Sequence, residues 1–311
     1  MPSSSNLNNS TVFFEGKFIP FDQAKISIMT HAFLYGTSVF EGIRAYWNEK
    51  EEQLYIFRAL EHFQRLHLSA KILRMEIKYS PEELVLMTKQ LLKHNKPRED
   101  MYIRPIVYKA GMRIGPALLN NPDEFCLFSV PMGDYIDTNK GVSVTVSNWR
   151  RVEDNAIPAR AKIAGSYVNT ALAKTDALLS NFADAIVLDE DGHVAEGSAM
   201  NLFIVRNGKL ITNHVTDNIL EGITRSTIID IAEKELGLKV QERSIDRTEL
   251  YIADEMFFCG TGAQISPITS VDYHSIGSGE VGEITKKLQN IYFAVVKNQI
   301  PKYSEWSVPV F

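Results

Sequence analysis

Four short stretches carry residues whose types suit a single chemistry. Lys162 lies in IPARAKIAGSY among Ala, Ile, Gly and Ser, with no acid within seven residues on either side. A lysine kept partly from water gives up its proton more readily, and the neutral amine attacks a carbonyl. That is the requirement for a Schiff base with an aldehyde cofactor such as pyridoxal phosphate. The plain alternative is a lysine snorkelling out of an alanine-rich stretch. Glu196, between Ala195 and Gly197 in HVAEGSAMNLFIV, could meet the ring nitrogen of such a cofactor and keep it protonated. A solvated turn glutamate would read the same. Gly222, Ile223 and Thr224 of LEGITRST would open a helix and leave backbone N–H groups and a hydroxyl for a phosphate. Many helices begin this way and bind nothing. Thr261, Gly262 and Ala263 of FFCGTGAQISP follow a strand in a tight turn whose amides suit a phosphate or a carboxylate, or make a plain hairpin.

The elements that must hold these residues follow from periodicity and turn chemistry. FFEGKFIPF reads as two short strands around a Gly turn. After the strand-like LYIF, one helix face is marked by Leu60, Phe63, His67, Ala70 and Leu73. The next helix starts at Ser80, with Pro81 at its first position and Glu83 placed for a capping box. MYIRPIVYKA and EFCLFSV follow as strands. Pro105 has no N–H for a ladder, which predicts an edge position or a bulge. The Gly, Asp and Asn residues of MGDYIDTNKG break the pattern. They read as a linker over 132–141, between an N-terminal domain over 1–131 and a larger one over 142–311 that carries Lys162. VSVTVSN alternates as a half-buried strand, and a helix is expected from about Gly165 to Asn181. Two hairpins turn at Asp191-Gly192 and Asn207-Gly208, and the helix in GITRSTIIDIAEKELG ends at Gly237. GEITKKLQNIYFAVV is the last long helix. Strands and helices mix without strict alternation, so the fold class is α/β or α+β with two domains.

At 311 residues the chain is long enough for those two domains, and 45% hydrophobic with 23% charged residues is an ordinary globular balance. A net charge of -5 without any Lys/Arg-rich run argues against nucleic-acid partners. Cys126 and Cys259 form no CxxC and have no His at metal-ligand spacing, so they read as free thiols in a reducing cytosol and not as metal ligands. MPSSSNLNNS lacks the pattern of a signal peptide and reads as a frayed start. No apolar run approaches the ~20 residues of a membrane span. The expectation is a soluble, cytoplasmic protein.

Taken together the four stretches ask for one cofactor: a lysine for the aldehyde, an acid for the ring nitrogen, donors for the phosphate. Their order and spacing resemble the fold-type IV pyridoxal-phosphate enzymes, and within them the branched-chain amino acid aminotransferases. HAFLYGTSVFEGIRAY, FRALEHFQRLHLSAKIL, MYIRP, ARAKIAGSY, AEGSAMNLFIV, LEGITRS and ADEMFFCGTGAQISPI carry the resemblance, from about 12 to about 295. MYIRP points to the branched-chain branch. The resemblance implies a smaller N-terminal α/β sandwich and a larger, pseudo-barrel-like C-terminal α/β domain, with the cofactor between them, in at least a homodimer. It implies transamination between Leu, Ile or Val and 2-oxoglutarate by a ping-pong mechanism. Lys162 would form the Schiff base and then shuttle the proton, Glu196 would pair with the ring nitrogen, and Tyr167 would bond the ring O3′. Arg58, Thr224 and Thr261 match phosphate ligands, with the amides of Ile223 and Thr224 completing the cup. Tyr35, Phe40, Gly42, Arg44, Tyr102 and Arg104 match the substrate pocket, and Thr261 with the Gly262 and Ala263 amides matches the turn for the α-carboxylate.

Two positions depart from the family pattern. Met200 stands where an acid commonly neutralises the arginine matching Arg104, and Met132 stands where a Trp is common. Both changes bear on the range of amines. A relaxed transaminase of the same fold, acting on D-amino acids or (R)-amines, is the second enzymatic reading, and MYIRP weighs against it. An aminodeoxychorismate-type lyase ranks lower. A non-catalytic pyridoxal-phosphate-binding protein would be expected to lose Lys162 or Glu196, and both are present.

Overall fold

The computed structural model describes residues 10–133, 136 and 138–311. The expected frayed start, apart from Ser10, lies outside the described residues, as do Asp134, Tyr135 and Asp137 of the expected linker. Contacts divide the chain into two compact units: Met1–Gly133 with Ala161–Gly165 and Ala294–Phe311, and Asp134–Arg160 with Ser166–Phe293. The segment carrying Lys162, expected in the C-terminal domain, thus clusters with the first unit.

The first unit is built on an 8-stranded antiparallel sheet. Its strands are β1 (Thr11–Phe14), β2 (Lys17–Pro20), β3 (Ser38–Phe40), β4 (Ile43–Asn48), β5 (Gln53–Phe57), β6 (Met101–Lys109) and β7 (Asp123–Pro131), with the C-terminal β17 (Ser307–Pro309) on β5. Three helices accompany it: α1 (His31–Tyr35), α2 (Ala59–Ile72) and α3 (Pro81–Asn95). Local signals are honoured where they are strongest. Glu15 and Gly16 both take positive φ to turn the first hairpin, and Ser80 with Glu83 forms the full capping box at α3.

Two expectations are corrected. Pro105 lies in β6, which is interior, between β7 on one side and β3 and β4 on the other. A residue's N and O point to the same side of a strand, and the Pro105 carbonyl accepts from Glu41 N–H at 3.0 Å. The missing N–H faces the same way, so the reciprocal bond of the Glu41–Pro105 pair is absent, and it is there that the strand pairing with β6 breaks into β3 and β4, which share one register. The buried face of α2 is also displaced: Ala59, His62, Phe63, Leu66, Ser69 and Ala70 are inside, whereas Leu60 is exposed and Leu73 half-buried. The cause is polar. Glu41 is fully buried after β3 and draws His62 and Arg65 toward it, with His62 Nδ1 at 2.8 Å and Arg65 Nε at 2.6 Å.

The second unit holds a mixed 9-stranded sheet. It contains β8 (Val142–Arg150), β9 (Asp184–Leu188), β10 (Val194–Gly197), β11 (Asn201–Arg206), β12 (Lys209–Thr212), β13 (Gln241–Glu242), β14 (Glu255–Gly260), β15 (Gln264–Val271) and β16 (His274–Ser275). The strand β8 runs parallel to both β9 and β15, while β14 is antiparallel to β11 and β15. Helices α4 (Tyr167–Leu179) and α5 (Ile223–Leu236) belong to this unit, and α6 (Glu283–Val296) starts in it. Asn207 and Gly208 take the paired positive φ of a tight hairpin, and Gly237 closes α5 in the left-handed region. Leu202, Ile204, Met256, Phe258 and Ile268 anchor its apolar core, which Met200 joins.

Candidate active site

In the first unit, Lys162 is held by its backbone. Its N–H donates to Ser69 Oγ at 3.1 Å, its carbonyl accepts from Phe40 N–H at 3.0 Å, and Ile163 bridges to Val39. Three points of attachment fix the main chain while the four-carbon stem remains to be used. The Lys162 ammonium stands 5.2 Å from the Phe40 ring centroid. Gly36 and Gly165 make this approach possible, since a Cβ on Gly36 would sit 2.8 Å from the Gly165 Cα and Gly36 has φ +67°.

Phe40 also receives the Arg104 guanidinium, 4.2 Å from its centroid, and Arg104 Nη2 donates to Tyr102 Oη at 2.6 Å. Gly42 is required beside them, because a Cβ there would come within 2.4 Å of Tyr102 Oη. Lys162, Phe40, Gly42, Tyr102 and Arg104 are thus brought together in the first unit. Among the described residues no acidic side chain pairs with Arg104, and its Nε is buried without a partner. Arg44 is buried, gives one guanidinium N–H to the Gly133 carbonyl, and also has an unpartnered Nε. Tyr35 stands apart: it is 37% exposed, and its hydroxyl accepts from Gly115 N–H at 2.8 Å. Arg58 caps α2 in the left-handed region at φ +48°, a conformation a long side chain rarely takes. Trp306 locks it there, accepting from Arg58 N–H at 2.7 Å and lying under the guanidinium at 4.9 Å, while Arg58 Nε pairs with Glu61 at 2.8 Å.

Beneath this group sits a network that inspection of the sequence missed. Burial alone would push Glu41 up, but Arg65 and His62 hold its carboxyl well below the usual carboxylate range. Burial pushes His62 below the ordinary histidine value, against the pull of Glu41. No local signal announced the network, since strands β4 and β5 lie between Glu41 and its partners on α2.

In the second unit, Glu196 is 4% exposed, between the fully buried Val194 and Ala195 on one side and Gly197 on the other. It is no solvated turn residue. Arg151 Nε lies 3.0 Å from its Oε1, and Oε2 accepts from Asn201 Nδ2 at 3.3 Å and Leu220 N–H at 3.4 Å. Asn201 then reaches the start of α5. A Cβ on Gly222 would come within 2.0 Å of Asn201 Oδ1, so any side chain there would push the Asn201 amide from its present position. Gly222 is the extended N-cap, Ile223 and Thr224 follow as the first helical residues, and no acid lies in the first turn. The first amides of a helix have no partner within it, so this end is suited to an anion. Thr261, Gly262 and Ala263 form the turn between β14 and β15, closed by the Gly260–Gln264 pair and by Ser266 Oγ donating to the Ala263 carbonyl at 2.7 Å. Tyr167 is the first residue of α4. Arg151 and Asn201 were not singled out in the sequence; an Arg beside another Arg in WRRVED offers no local sign that one of them meets an acid.

The residues present fit pyridoxal phosphate: a buried carboxylate suited to a ring nitrogen is tied by one side chain to a helix start suited to a phosphate. A family model, Amino-transferase class IV, matches residues 38–271, and the chain belongs to this family. It is similar to a probable branched-chain-amino-acid aminotransferase of Aquifex aeolicus, at 52% identity over 96% of each chain. Among solved structures, the branched-chain aminotransferase of the thermophilic archaeon Thermoproteus uzoniensis with norvaline is 39% identical, with a TM-score of 0.93 over 97% of this chain and 99% of that one. The branched-chain amino acid aminotransferase of Thermobaculum terrenum in its PLP form is 37% identical, with a TM-score of 0.94 over 98% and 99%. The fold is thus the one the sequence motifs led us to expect.

Proposed function

We propose that this chain is a pyridoxal-phosphate-dependent transaminase that moves the amino group between Leu, Ile or Val and 2-oxoglutarate in two half-reactions. The observation that carries the reading is the linked pair of features in the second unit, Glu196 and the Gly222–Thr224 helix start, joined through Asn201. When bound, the cofactor supplies an electron-accepting ring and a carbon that links to amines. The protein's residues supply the rest. Lys162 Nζ would hold the cofactor covalently and, as a free amine, would accept and return the proton at the substrate Cα. Arginine stays protonated and could do neither. Glu196 would keep the ring nitrogen protonated, and Tyr167 would donate to the ring O3′. The Ile223 and Thr224 amides, the Thr224 and Thr261 hydroxyls and Arg58 receive the phosphate.

Substrate would fall to Phe40, Gly42, Arg44, Tyr102 and Arg104, with the Thr261–Ala263 turn on the α-carboxylate, while Tyr35, which stands apart from them, has no support as a pocket residue of this chain's own group. The buried, unpartnered Nε atoms of Arg44 and Arg104 support a role in receiving an anionic group, such as the second carboxylate of glutamate. The exposed Ile28 and Phe33, beside Tyr35, support assembly as a homodimer. Two free cysteines suit the cytoplasm, and among the described residues no helix is long and apolar enough to cross a membrane. Incubation with L-leucine and 2-oxoglutarate tests the reading: L-glutamate and the branched 2-oxo acid should appear in equal amounts, and neither would form if the reading is wrong.

A further inference from the structure

We propose that Arg151 is a positioning residue that sets where the proton rests between Glu196 and the cofactor's ring nitrogen; this rests on the transaminase reading above. Arg151 follows β8 directly, and its N–H donates to the Leu188 carbonyl at 2.7 Å, so its backbone is pinned to the end of β9. From there Nε reaches Glu196 Oε1 at 3.0 Å and the Asn218 carbonyl at 3.2 Å. Both side chains are withdrawn from water, at 11% and 5% exposure. The contacts to Oε2, from Asn201 and Leu220, are neutral and longer. Arg150, next in sequence, is spent elsewhere, donating to the Asp189 carbonyl at 3.2 Å.

The consequence is a matter of relative basicity. A carboxyl in a buried strand prefers to keep its proton, and an adjacent guanidinium reverses that preference. One proton is shared between the Glu196 carboxyl and the pyridine nitrogen, and it rests on the stronger base. With Arg151 in contact the carboxylate is the weaker competitor, so the ring nitrogen carries the proton and the ring accepts electrons. Without Arg151 the proton returns to the carboxyl and the ring becomes neutral. No bond to carbon changes, and no electron is transferred. Arg151 acts through Glu196 and needs no contact with substrate.

The test uses the full chain reconstituted with pyridoxal phosphate labelled with 15N at the ring nitrogen. The parent should show a pyridinium-type 15N shift. Arg151→Gln should move it toward the neutral-pyridine value, with kcat lowered while KM changes less. Partners that orient a ligating side chain are worth about 10–100-fold at metal sites, and a fall of that order is expected here. Arg151→Lys retains the cation and should keep the pyridinium shift. A folded Arg151→Gln protein with an unchanged 15N shift overturns the proposal and leaves Arg151 a structural tether. If Arg151→Gln does not fold, the lysine variant decides, because a neutral-type shift there removes the role assigned to the cation. A parent that takes up no cofactor fails both this proposal and the transaminase reading, whereas a pyridinium shift in parent and Arg151→Gln alike fails this one only.

Discussion

Lys162 and Phe40 are joined twice: the Phe40 N–H donates to the Lys162 carbonyl at 3.0 Å, and the Lys162 ammonium stands 5.2 Å from the Phe40 ring. The backbone bonds hold the main chain at 162 and the ring faces the ammonium. Lys162→Ala should therefore keep the fold, with a melting temperature close to the parent's, and lose turnover. A variant that turned over near the parental rate would remove Lys162 from the mechanism.

Glu196→Gln would replace the carboxylate proposed to meet the ring nitrogen by a neutral group of the same shape. Cofactor should still bind, since the helix start at Gly222 is untouched, while kcat falls about 10²–10³-fold, the usual cost of removing one preorganised electrostatic contact. An undiminished rate would mean that another group protonates the ring.

Gly222→Ala would drive a Cβ to within 2.0 Å of Asn201 Oδ1. Asn201 must then swing away, giving up its contacts to Glu196 and to the Leu220 carbonyl. Overpacking of this kind costs about 1–3 kcal/mol. Spectroscopic titration of the apoprotein should show weaker cofactor binding in the variant; equal affinity would show that Asn201 does not link the two features.

The Glu41 network makes stability depend on pH. Unfolded, His62 titrates near 6.5, and the fold lowers that value, so below about 6.5 the unfolded chain binds more protons and stability falls. Glu41 is lowered as well, which adds a second decline as pH drops below about 4.3. Melting curves should be flat above neutrality and fall in these two steps. His62→Gln should lose the upper step, and an identical slope in that variant would refute the assignment. Glu41→Gln strands the largely buried Arg65 and should cost about 3–5 kcal/mol in urea unfolding.

What the sequence disclosed was what local physics decides. Caps and tight turns at Ser80, Asn207-Gly208 and Gly237 need only their own few residues, and all three were legible. Lys162 and Glu196 were legible as residue types in unusual surroundings. Pairings that cross the fold were not. The α2 stripe was misread because a buried Glu41 pulls His62 inward, and nothing near His62 announces this. Arg151 escaped notice for the same reason, and the C-terminal β17 completes a sheet begun far earlier in the chain, pairing Ser307 with Phe57.

The most direct test of the central claim is the visible absorbance of the purified protein before and after L-leucine, with D-alanine in a parallel cuvette. A yellow band that bleaches with L-leucine and persists with D-alanine is the predicted result. Bleaching with D-alanine alone, or a protein that stays colourless after incubation with pyridoxal phosphate, would contradict it.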